Sequence, residues 1–117
     1  MAARILIVED DALLALDVVR VLESAGFAVV GPAGSSAKAL DLIAKVGCDA
    51  AVLDINLGRN VTSEPVAVEL IAQGKRFVTV TGYSHDQRPS IYDGHPILTK
   101  PLRRGALVAE LNRLLAA

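Results

Sequence analysis

The 117-residue chain predicts a doubly wound α/β domain, with five parallel strands between two layers of helices and a fourth helix that is short or irregular. Three observations lead there. Short apolar runs alternate with stretches of helical period along the whole length. The composition is 52% hydrophobic but only 3% aromatic, so the core is built from Val, Leu, Ile and Ala, as strands buried on both faces require. Polar residues recur where the apolar runs end.

The elements follow in order. "RILIV" (4–8) reads as a fully buried strand, and Leu14, Val18, Val21, Leu22 and Ala25 form one stripe of a helix ending at Gly26. "FAVV" (27–30) is the second strand and "GPAGSS" a loop, in which Ser35 or Ser36 caps a helix carrying Leu40, Ile43 and Ala44 inward and stopping at Gly47. "AAVLD" (50–54) is the third strand. After the loop "INLGRNVT", Ser63 and Pro65 start a helix with Val66, Leu70 and Ile71 on its inner face, up to Gly74. "FVTVT" (77–81) is strand four. The stretch 82–95, "GYSHDQRPSIYDGH", carries no sustained helical stripe. "PILT" (96–99) is strand five, and Leu107, Leu111, Leu114 and Leu115 stripe a closing helix.

Composition narrows the function. Twelve basic residues against thirteen acidic ones, a formal net charge of −1, lack the electrostatic footprint of a nucleic-acid binder. The single cysteine, Cys48, excludes an internal disulfide and a cysteine-rich zinc site and reads as a small buried apolar group. No segment approaches 18 apolar residues and none has the form of a signal peptide. The expectation is one domain over 1–117, cytoplasmic and without a membrane partner.

"ILIVEDDA" (5–12) runs four apolar residues straight into Glu9, Asp10 and Asp11. In a parallel sheet, chemistry gathers beyond the carboxyl ends of the strands, at the point where strand order reverses. Strand one ends in Glu9 and Asp10, strand three in Asp54, strand four in Thr81 and strand five in Lys100. If the strand order is 2-1-3-4-5, strands one, three, four and five are neighbours about 4.8 Å apart, and these side chains converge on one crevice. Clustered carboxylates repel one another unless a cation sits among them. Oxygen ligands, few in number and in an open crevice, suit Mg²⁺, and a Lys and a Thr beside them suit phosphoryl oxygens. Taken alone, each residue has an ordinary explanation: an acidic pair opens a helix, Asp54 caps, Thr81 follows strand propensity and Lys100 is surface. Their joint placement at four strand ends outweighs these.

The ordered set "VEDD", "LDINL", "TGY" and "TKP" resembles the response-regulator receiver domains of two-component signalling, over the whole chain. The resemblance implies the flavodoxin-like (βα)5 arrangement, with Asp54 as phosphoacceptor for a phosphoryl group from a histidine kinase or phosphotransfer protein. It implies Mg²⁺ held by Glu9, Asp10, a carboxylate oxygen of Asp54 and the backbone carbonyl of Asn56. Thr81 and Lys100 would engage the phosphoryl group, the Lys100–Pro101 bond would be cis, and Asp11 would be solvated. It further implies a signalling protein rather than an enzyme, a monomer or weak homodimer that acts on a downstream protein or drains phosphoryl groups.

Two features depart from the family. Ile97 stands three positions before Lys100, where the family carries an aromatic switch, and the Thr81–Lys100 span is short at the expense of the fourth helix. With "RFVTVTGY", the pattern resembles a subgroup bearing a Phe-x-x-x-Thr-Gly-Tyr-like signature, linked to histidine kinases of the HWE type. His85 and His95 read as exposed loop residues, and Tyr83 as either packing or controlling water access. Two rival functions remain at this level. An aspartyl-nucleophile phosphohydrolase of the haloacid-dehalogenase type would have its nucleophile at the end of strand one, with a second Asp two residues on. A pseudo-receiver would keep the fold without the chemistry, against which the complete acidic set argues.

Overall fold

The structure, a computed structural model, describes residues 2–82 and 88–116. Five strands, β1 (Arg4–Val8), β2 (Ala28–Ala33), β3 (Ala50–Asp54), β4 (Arg76–Thr81) and β5 (Ile97–Thr99), form one sheet in the order β2-β1-β3-β4-β5. Every pairing is parallel. Four α-helices, α1 (Ala12–Ser24), α2 (Ser36–Lys45), α3 (Glu64–Ala72) and α4 (Arg104–Ala116), make the crossovers and close the fold. Among the described residues between β4 and β5, helical structure is confined to one 3₁₀ turn, Ser90–Tyr92. The alternation of runs predicts this doubly wound arrangement, and the flavodoxin-like strand order is the one the family resemblance implies.

Strand residues alternate between two cores because successive side chains leave a strand on opposite faces. Leu6, Val8, Ala51, Leu53 and Phe77 pack with Ile43 of α2 and with Val66, Ala67 and Leu70 of α3. Ile5, Ile7, Val52, Val78 and Val80 pack with Val18 and Leu22 of α1 and with Leu107 and Leu111 of α4. That parity carries to the strand ends: Glu9 and Asp54 continue the Ile7 and Val52 rows toward α1 and α4.

Several local expectations need correction. Strand β2 continues through Gly31 and Pro32 to Ala33, where a loop was expected. It is an edge strand, so the missing proline N–H leaves no ladder bond unmade. The pairing register with β1 shifts here, between Leu6 and Val8. Gly31 makes the shift possible: its φ is +98°, and a Cβ there would lie 2.9 Å from the Ala33 nitrogen and 3.1 Å from the Ile7 oxygen. Helix α2 buries Ala39 and Ile43 and leaves Ala44 exposed. Helix α3 buries Ala67 and exposes Ile71. In α1, Val18 and Leu22 are buried as expected, but Ala25 is the exposed C-cap.

Candidate functional site

The carboxyl ends of β1, β3, β4 and β5 are aligned by the ladder itself. Asp54 pairs with Val80, one residue before Thr81. Lys100 N donates to the Thr81 carbonyl at 3.0 Å, just past the Thr81–Thr99 pair. Lys100–Pro101 is cis, as is Gly31–Pro32.

At this edge the acids meet. Glu9, Asp10 and Asp54 each offer a carboxylate oxygen within 4.8 Å of the others. Glu9 and Asp54 are buried while Asp10 is exposed. Lys100 reaches between the buried pair, its Nζ 2.7 Å from Asp54 Oδ2 and 3.1 Å from Glu9 Oε1. Asn56 N donates to Asp54 Oδ1 at 3.1 Å, which fixes the carboxylate plane from the loop side. Asp10, Asp11, Asp54, Asn56, Gly82 and Lys100 are among the residues that line one open crevice. Thr81 is buried beside them at the end of β4.

Two acids and one ammonium leave this site short of positive charge. Burial, followed by the hydrogen bonding and charge of Asp54, pushes the Glu9 carboxyl up to about 8 against the pull of Lys100. Burial alone would lower the Lys100 ammonium, yet the hydrogen bonds and charges of Asp54 and Glu9 outweigh it and raise its pKa. Glu9 Oε2 is buried with no hydrogen-bond partner. An orphaned buried carboxylate oxygen, next to two further carboxylates and an open crevice, fits a hard divalent cation.

Asp11 is exposed, as expected, and also takes a definite role. Its Oδ1 accepts from Leu13 N at 3.0 Å and Leu14 N at 3.2 Å, so it caps α1 from the rim of the crevice, outside the Glu9–Asp10–Asp54 cluster. Ser63 holds the N-cap position of α3 but makes no side-chain cap. Its Oγ lies 2.8 Å from the Tyr92 hydroxyl, and both residues are fully buried. His95 is half-buried rather than exposed, stacked on Phe77 with centroids 4.0 Å apart. Tyr83 and His85 lie outside the described residues. Periodicity had no means of finding Tyr92, since it sits in a Gly-, Pro- and Asp-rich stretch.

Over 97% of each chain, the sequence is 38% identical to SdrG from Sphingomonas melonis Fr1, with a TM-score of 0.84. A response regulator receiver domain (CheY-like) from Methylobacillus flagellatus is 26% identical, with a TM-score of 0.82, over 97% of this chain and 99% of that one. The chain belongs to the same family as SdrG, and its fold is that of the response regulator receiver domains. The CheY-like receiver of Methanospirillum hungatei JF-1, 24% identical over 99% of this chain and 95% of that one, superposes with a TM-score of 0.87. No protein-family model and no curated protein matches the sequence. Among the described residues of this receiver fold, no helix is long and apolar enough to cross a membrane.

Proposed function

We propose that the chain is the phosphoacceptor receiver of a two-component phosphorelay, taking a phosphoryl group from the phosphohistidine of a histidine kinase or phosphotransfer protein onto Asp54. The observation that carries this reading is the contact of Lys100 Nζ with Asp54 Oδ2 at 2.7 Å, inside a cluster of three carboxylates. In the transfer, an Asp54 carboxylate oxygen forms the new bond to phosphorus. The P–N bond breaks and its electron pair stays on the donor imidazole nitrogen. Asn56 N holds Asp54 in one orientation throughout. Lys100, already at the acceptor oxygen, moves with the charge onto a phosphoryl oxygen, and the Thr81 hydroxyl donates to another. Glu9, Asp10, Asp54 and the Asn56 carbonyl would hold Mg²⁺, which supplies the positive charge that lets phosphoryl and carboxylate oxygens approach.

The protein then acts in the cytoplasm, through contacts with a downstream protein or as a phosphate sink, and turns over no external substrate. The Phe-x-x-x-Thr-Gly-Tyr-like signature favours kinases of the HWE type as donors. The test is labelling by a phosphorylated kinase or a small phosphodonor in Mg²⁺. Asp54 should carry an alkali-labile acyl phosphate, and Asp54→Asn should carry none. Label retained in that variant would move the nucleophile to Glu9 or Asp10, as a phosphohydrolase with its acid on β1 requires.

A further inference from the structure

Resting on that reading, we propose that Tyr92, through its hydrogen bond to Ser63, couples occupancy of Asp54 to the connection between β4 and β5. Tyr92 is among the largest fully buried side chains, and its hydroxyl lies 2.8 Å from Ser63 Oγ, itself 0% exposed. Water cannot replace either partner where they sit. If Ser63 moves, Tyr92 must follow or give up this bond, and its second hydroxyl partner, Thr62, lies on the same loop beside Ser63.

Ser63 is tied to the acceptor. Its N–H donates to the Ile55 carbonyl at 3.0 Å, Asn56 bridges to Thr62, and Asn56 N donates to Asp54 Oδ1 at 3.1 Å. Tyr92 is tied to the other half of the site. Its carbonyl accepts from His95 N at 3.2 Å, and the Pro96 carbonyl accepts from Thr79 N at 2.8 Å and Thr79 Oγ1 at 2.9 Å. From there the chain enters β5 and reaches Lys100. The connection is thus held near the acceptor at both ends, by Thr81 and Lys100, and in its middle by Tyr92. Ile97 is a half-buried aliphatic residue and lacks a hydroxyl with which to do the same.

The experiment is hydrogen exchange on the full chain, in Mg²⁺ alone and in Mg²⁺ with beryllofluoride. It compares wild type, Tyr92→Phe and the double variant Tyr92→Phe/Ser63→Ala, each also labelled with acetyl phosphate. Beryllofluoride should slow the wild-type amides across residues 88–95. Tyr92→Phe should keep the label at Asp54 and lose that slowing. The double variant leaves neither buried hydroxyl of the pair unpaired, and Thr62 keeps its bond from Glu64 N, so its melting temperature should return toward wild type while the slowing stays lost. Slowing that returns in the double variant together with stability makes the pair merely structural and overturns the coupling. Wild-type label without slowing across 88–95 also overturns it and leaves the receiver reading standing. An unlabelled wild-type Asp54 overturns the receiver reading and the coupling with it.

Discussion

The candidate site is assembled from two unlike halves. Glu9, Asp10 and Asp54 stand at the ends of β1 and β3, the middle of the sheet, where all but one of the ten strand residues are buried. Lys100 stands at the end of β5, a three-residue edge strand with no fully buried position. The acids are therefore set by the most constrained backbone in the molecule, and the cation that answers them by one of the least. Under the proposed function, a charge arriving at Asp54 would meet an acceptor set by the central strands and a lysine carried by a short edge strand, the division a switch requires.

The largest effect should come from breaking the fixed half. Leu53 is 0% exposed and packs in the α2/α3 core, so Leu53→Ala should cost about 2–5 kcal/mol in urea or thermal unfolding. Ile97 is only partly buried, and Ile97→Ala should cost about 1 kcal/mol, less than a full core truncation. Equal costs would mean that the two halves are packed alike and would remove the basis of the contrast.

Lys100 tests how the halves meet. Lys100→Ala leaves Glu9 and Asp54, both buried, without their cation. Breaking a buried pair is expensive, and an open crevice softens the penalty, so the metal-free variant should lose about 1–3 kcal/mol. Millimolar Mg²⁺ should raise the melting temperature of the variant more than that of wild type, because it answers charges that Lys100 otherwise shares. Equal metal-induced shifts would place the cation away from Glu9 and Asp54.

How much of this was legible in the sequence follows the same division. The central strands could be read because unbroken apolar runs such as 4–8 and 50–54 have one interpretation at that length. The strand-end residues could be read because strand order converts position into proximity. Helix α3 could not: Val66, Ala67, Val68, Leu70 and Ile71 are apolar nearly all round, so periodicity could not tell that Ala67 is buried and Ile71 exposed. Strand β2 hid its extension behind Gly31 and Pro32, residues that mark a turn unless an edge position and a register shift accommodate them. The Tyr92–Ser63 bond joins positions 29 residues apart and has no local signature at all.

A smaller effect tests whether Asp11 belongs to the site. Asp11→Ala removes two hydrogen bonds to the first turn of α1 and should cost about 1 kcal/mol of stability. Asp11→Ser or Asp11→Asn should restore most of it, since either side chain can cap. Mg²⁺ titration should give nearly the same affinity in all of these variants, because Asp11, although it lines the crevice, commits its carboxylate to the α1 amides and stands outside the Glu9–Asp10–Asp54 cluster. A large affinity loss that Asn does not rescue would make Asp11 a fourth acid of the cluster.

The smallest effect lies in the rearranging half and concerns its anchorage on β4. His95 stacks on Phe77, the planes 14° apart, and burial lowers its pKa below the ordinary histidine value. A histidine with a depressed folded pKa favours the neutral ring. Its contribution is full above the unfolded value of about 6.5 and is lost as pH falls through the folded value below it. Against His95→Gln, which keeps a polar side chain but does not titrate, wild type should therefore lose relative stability between pH 7.5 and 5. Melts of the two proteins across that range isolate the term, since the carboxylates common to both cancel. An imidazolium could instead gain from the face of the Phe77 ring. Wild type would then gain relative stability in acid, and the stack would anchor the 88–95 connection through charge rather than through its exclusion.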